Sequence, residues 1–313
     1  MKKRPLLLLW SLVIILIGVT LFYGNPIAFL IEEIRLPRLC MLLLIATMLG
    51  LSGYLLQRVT GNDLADPSIL GINQGSGLAI ACTLSLLSTT MLPTLKWLPL
   101  LAIIGGGVAA NLLFILSVQQ RRLNVSLLVL NGIGLNALLA SVMLLVINRT
   151  KDGLKIDFMM KWLMGNLWSF EWPQIYVLAL VLFVSIVVIL YYQRELAMFI
   201  LQEEQQQLLG VPYQVMRFVF IGLAVVMTSL AVAYGGGLTF IGLLAPHMAR
   251  YFVPQSERKQ LIATMLFSMI LIMTSDFITQ QWLEEWTLPQ GSLLAFIGAP
   301  YFIYLMTKKD IAR

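Results

Sequence analysis

The chain has 313 residues, 59% of them hydrophobic and only 12% charged, with a mean hydropathy of +0.87. Soluble domains carry about 25% charged residues, so water is excluded as the solvent for most of this surface. The net charge of +6 sits in short segments between apolar runs, which argues against a nucleic-acid partner and marks these residues as topology signals in contact with membrane lipid.

The first apolar run, 6–22, follows Lys2, Lys3 and Arg4. It is too long for a typical signal-peptide core, and Tyr23-Gly24-Asn25 is a poor cleavage site, so it reads as an uncleaved helix. Further runs follow at 38–57, 67–91, 98–118, 125–147, 173–192, 214–234, 238–253, 260–281 and 291–307. In lipid each segment must satisfy its own backbone, so all are expected to be helices. The eighth is short and depends most on burial by its neighbours. The reading is one all-α polytopic unit over residues 1–313 with about ten transmembrane helices.

With the amino terminus inside, only Arg35, Arg38, Lys96, Arg149, Lys151, Lys155 and Lys161 of the 21 basic residues fall outside. That bias places both termini in the cytoplasm. Two connections exceed mere turns. Residues 148–172, outside, carry Trp162, Trp168 and Trp172 among charges and suggest a short interfacial helix. Residues 193–213, inside, are polar and helix-favouring, end on Gly210 and Pro212, and invite a protein partner.

Glycines at 71, 75, 105–107, 132, 134 and 235–237 allow close helix approach or a bend beside a cavity. Cys40 and Cys82 lie in apolar runs without metal-ligand spacing, and the lone His247 has no second ligand, so packing roles suit all three and no cofactor is expected. The 16 methionines are scattered without pairing, as adaptable packing requires. No GxxxxGK[ST] loop occurs, and Asp276 is the main ionisable residue within a span. ATP binding by that loop, and the coupling groups of an ion-driven secondary carrier, are both missing from the sequence. So is the clustered acid, base, nucleophile or metal set of a membrane-embedded enzyme.

Five blocks carry a resemblance. The first comprises Arg35-Leu-Pro-Arg38, Ser52-Gly53 through Gln57, and Asn62-Asp-Leu-Ala-Asp-Pro-Ser-Ile-Leu-Gly71. The others are Leu130-Asn-Gly-Ile-Gly-Leu-Asn136, Trp162-Leu-Met-Gly165, the run from Gly237 to Arg250 containing Ala245-Pro-His-Met248, and Gly298-Ala-Pro300. In this order they resemble the permeases of bacterial ATP-driven importers for iron-siderophore complexes, haem and cobalamin.

The resemblance implies a cobalamin-importer-like (type II ABC importer) permease fold. It also implies a pairing with a second permease, identical or related, two copies of an ATPase subunit, and an extracytoplasmic binding protein delivering a ferric siderophore. Arg35 and Arg38 would dock acidic side chains of that binding protein, a task suited to the guanidinium fork. Pairing with Glu32 or Glu33 as an interfacial anchor is the structural alternative. A third docking arginine is common four residues after the aspartate of the ninth helix, where this chain has Gln280. Gln202, Glu203, Glu204, Leu209, Gly210 and Val211 resemble the segment that couples to the ATPase, although Gln202 and Gln206 stand where relatives have small residues. Gln57, Asn62, Pro67, Gly71, Asn73 and Gly75 would border the pathway near its inner gate, with Asp66-Pro67 a natural helix start.

Overall fold

The computed structural model describes residues 4–23, 31–63, 65–86, 97–119, 122–165, 167, 170–201, 205, 212–253, 256–281 and 288–311. They form an all-helical protein with twelve α-helices. These are α1 (Arg4–Phe22), α2 (Leu36–Thr60), α3 (Ile72–Leu86), α4 (Leu98–Ser117), α5 (Val125–Arg149) and α6 (Gly153–Leu163), then α7 (Trp172–Tyr191), α8 (Gln193–Met198), α9 (Tyr213–Gly235), α10 (Ile241–Phe252), α11 (Glu257–Gln281) and α12 (Gln290–Ile311). A π-turn, Ile31–Arg35, runs into α2, and a 3₁₀ turn, Pro67–Leu70, precedes α3. Two short strands, Val118–Gln119 and Arg122–Leu123, pair antiparallel between α4 and α5.

Among the described residues each of the ten apolar runs carries a helix, and seven of these helices are long and apolar enough to cross a membrane. α2 is the axis of the bundle: 83% of an apolar 18-residue stretch of it is buried, against 6% of that of α1. Its neighbour α9 runs antiparallel to it. Thr228 donates to Ser52 Oγ at 3.0 Å, and Gly235, seven residues further along α9, lies against Ile45, seven residues back along α2.

α3 and α10 are short because the chain turns before each of them. Gly71 at φ 73° ends the 3₁₀ turn, so the run expected over 67–91 becomes that turn and a 15-residue helix, residues 87–91 lying outside the described ones. Phe240 at φ 67° caps α10, which has 12 residues and buries seven of them. A left-handed phenylalanine costs about 1–3 kcal/mol, and its ring is held against Gly298 of α12, where a β-carbon would overlap it.

α6 corrects an expectation. The helix is present between α5 and α7, but Trp162 is 2% exposed instead of anchored at an interface. It packs beside Gly77 of α3, and its carbonyl accepts from Gly237 N at 3.0 Å. Hydrophobic burial of the ring outweighs the preference of an indole for the interface. Trp172 begins α7, and Trp168 lies outside the described residues.

Candidate functional site: a junction halfway along α2 and a cleft at its amino end

Apart from Arg35–Arg38, the five sequence blocks meet at one place. Gly53 of α2 faces the Gly242 carbonyl at the start of α10, and Gly242 in turn lies against Pro67 and the Leu49 carbonyl. Pro67 is therefore level with Leu49–Gly53, about 10 Å up α2 from Thr60 at 1.5 Å per residue. The segment Asn62–Gly71 folds back along α2 to its midpoint. Asp66 makes that return possible. Its carboxylate accepts from Ser68 N at 2.7 Å and also from the Leu243 backbone, so one side chain serves the exposed N–H groups of both the 3₁₀ turn and α10.

The remaining blocks close round this point. Asn136 of α5 donates to the Ser68 carbonyl at 3.0 Å. Gly165, at φ 76°, lies against Leu238, and its carbonyl accepts from Gly291 N at 2.9 Å. On the helix pair below, Gly75 of α3 crosses Gly105 of α4 so closely that a β-carbon on Gly75 would stand 2.5 Å from the Gly105 oxygen. Asn73 is 9% exposed and borders a cavity of about 10 Å³ with Asp66, Pro67, Ser68 and Thr228. The expected pathway residues Gln57, Pro67, Gly71, Asn73 and Gly75 are thus gathered about the junction, whereas Asn62 lies at the foot of α2, its backbone N–H donating to Thr60 at 3.3 Å.

Between junction and foot runs a polar ladder. Gln57, 3% exposed, donates to the Gly242 and Leu243 carbonyls at 3.2 and 3.4 Å and accepts from Arg250, which also reaches Asp63 at 3.4 Å. Arg58 pairs with Glu257 at 2.9 Å and donates to Gln260 at 3.1 Å, and Tyr54 donates to the same Glu257 oxygen at 3.0 Å. These bonds tie the last turns of α2 to the end of α10 and the start of α11. Replacing Gln57 by leucine removes both carbonyl bonds and takes a partner from Arg250. The expected result is a loss of about 2–4 kcal/mol in stability, measured by thermal unfolding; an unchanged melting temperature would remove the structural role of these bonds. The His247 ring lies edge-on to Tyr301 at 6.0 Å.

At the other end of α2 lies an open cleft of about 200 Å³, lined by Thr20, Tyr23, Arg35, Arg38, Asp276, Phe277 and Gln280 among others. Arg35 donates to the Leu21 and Tyr23 carbonyls, both at 2.8 Å. It closes the end of α1, where carbonyls otherwise lack partners. Arg38 pairs with Asp276 at 2.7 Å, and Gln280, one turn along α11, donates to the second Asp276 oxygen at 2.7 Å. The structure brings Arg35, Arg38 and Gln280 to one cleft, and the partner that sequence reasoning missed for Arg38 is Asp276, 238 residues away. The residues 202–204 and 209–211 lie outside the described ones. Among the described residues no group of three or more His, Cys, Asp or Glu could hold a metal ion.

A long central helix clasped by two short ones, within a sheath of apolar helices, is the architecture of a multi-pass permease of ABC importers. The chain superposes on a solved metal-chelate type ABC transporter in an inward-facing conformation with a TM-score of 0.86 and 25% identity, over 98% of this chain and 100% of that one. Residues 6–308 match the FecCD transport family, and the chain belongs to that family as a permease subunit that is not itself catalytic. It is 30% identical to the iron-uptake system permease protein FeuC of Bacillus subtilis over 93% of this chain and 88% of that protein. It is 33% identical to the Fe(3+) dicitrate transport system permease protein FecD of Escherichia coli, over 91% and 87%. A cobalamin import system permease protein, BtuC of Halobacterium salinarum, is 29% identical over 94% and 80%.

Proposed function

We propose that this chain carries ferric siderophores across the bacterial cytoplasmic membrane, with both termini on the cytoplasmic side. The observation that supports this reading best is the identity of 30–33% with permeases named for iron uptake and ferric dicitrate import. A path without a tight site suits a large hydrophilic chelate. Paired charges are gathered at the foot and the outer cleft, and the junction between them is built of glycine, asparagine and backbone around one carboxylate, Asp66, which is engaged by backbone N–H groups. Transport then needs no chemistry on the cargo. A loaded binding protein docks at the cleft of Arg35, Arg38 and Gln280, ATP closes a pair of ATPase subunits, and the segment 202–211 passes that motion to the ladder and junction.

The test is reconstitution of this permease with its ATPase and binding protein in vesicles, scoring uptake of radiolabelled ferric siderophore with ATP inside. Uptake that requires ATP hydrolysis is expected. Uptake of haem or cobalamin in place of the siderophore would assign a different cargo, and accumulation by the permease alone under a proton or sodium gradient would overturn the reading. In the same vesicles Gly210→Leu is expected to leave ATP hydrolysis running while uptake falls at least tenfold; full uptake would remove the coupling role from this segment.

A further inference from the structure

A basic and aromatic corner at the foot of the bundle has no role in the scheme above. Tyr251 and Phe252, the last residues of α10, are 76% and 50% exposed, their rings meeting edge-on at 5.5 Å. The next helix opens with Arg258 and Lys259, both exposed, and Arg258 Nε donates to Gln193 of α8 at 2.5 Å. That bond sets exposed Arg194 and the end of α7, where Tyr191 is 75% exposed, beside the same corner. Of the nearby acids, Glu257 is engaged by Arg58 and Tyr54, and Glu195 is half-buried.

We propose that Arg194, Arg258 and Lys259, flanked by Tyr251 and Phe252, form a binding surface for the headgroup of an anionic phospholipid. Two features favour lipid over protein as the occupant. The corner lies between helices with largely exposed apolar surfaces: α1 packs Leu6 and Leu9 against the base of α10 and α11, yet only 6% of its apolar stretch is buried, and 28% of that of α7. The exposed cations therefore stand where apolar helix surface gives way to polar chain, the depth of phosphate groups. Aromatic side chains beside them suit the same depth, where an amphipathic ring has both an apolar and a wet neighbour. Clustered Lys and Arg there attract anionic headgroups by charge.

The experiment presents the purified full chain with equal amounts of dioleoylphosphatidylglycerol and dioleoylphosphatidylcholine and counts retained lipid by native mass spectrometry. Preferential retention of phosphatidylglycerol is expected. The preference should fall roughly fivefold for Lys259→Gln, and further for the triple variant Arg194→Gln, Arg258→Gln, Lys259→Gln. Arg149→Gln, an exposed charge at the end of α5, should leave it unchanged. Equal retention of the two lipids by the unaltered chain overturns the proposal, as does an equal loss with Arg149→Gln, which would mark a net-charge effect. An unchanged lipid preference in the triple variant, together with lost co-purification of the ATPase, would assign the corner to that protein and also overturn it.

Discussion

Gly53→Ala is expected to abolish uptake and to lower the yield of folded permease sharply, because the added methyl would overlap the Gly242 carbonyl. Overpacking against side chains costs about 1–3 kcal/mol when rotamers can yield. Here the obstacle is backbone at the first turn of α10, fixed by Gln57 on one side and Pro67 on the other. Relief requires α10 to move off α2, which would break the bonds from Gln57 and from Asp66 together. The control is Gly222→Ala on α9, where nothing lies within 4 Å of the new carbon. Near-unaltered melting temperature and uptake are expected there, and a Gly53→Ala permease equally unimpaired would refute the close crossing.

The second large effect is Arg38→Ala. Asp276 has a side chain only 6% exposed and loses its sole ion-pair partner among the described residues. Stranding a buried charge in this way costs about 3–5 kcal/mol, here reduced because Arg38 is 23% exposed and water can follow it in. Asp276→Asn should cost much less, since its amide still meets Gln280 and the arginine turns to solvent. The pair Arg38→Ala with Asp276→Leu separates two roles. Stability should return in the double variant, as measured by thermal unfolding in detergent. Capture of the binding protein should stay weak if the guanidinium also docks it. Restored capture would make Arg38 a structural residue alone.

The extent of the fold was legible from apolar run length because backbone satisfaction in lipid leaves little choice but helix. Runs that bury their surface halfway along were read less well. Residues 67–71 are as apolar as a helix start, and only Gly71, with a left-handed φ no hydropathy window detects, shows where the turn ends. For the site, the motif blocks were visible but their convergence was not, since the bonds joining them span 68 to 193 residues. Asp66 was read as a cap for its own turn, and its service to α10 has no local signal. Trp162 was misplaced for a related reason: an indole among charges reads as an interfacial anchor unless the glycines that receive it, 77 and 237, are known to be near.

The double duty of Asp66 also bears on how the polypeptide is made. Ribosome and translocon deliver α2 and the returning turn long before residues 241–253 emerge. Until then Gln57 lacks the two carbonyls it will serve, and the Asp66 carboxylate has only its own turn to satisfy it. Nascent chains halted before α10 should therefore hold the early helices in the bilayer while leaving this turn open to water. Maturation of the centre would be among the last events of biogenesis, a step that a cysteine-accessibility pulse at Ser68 could time.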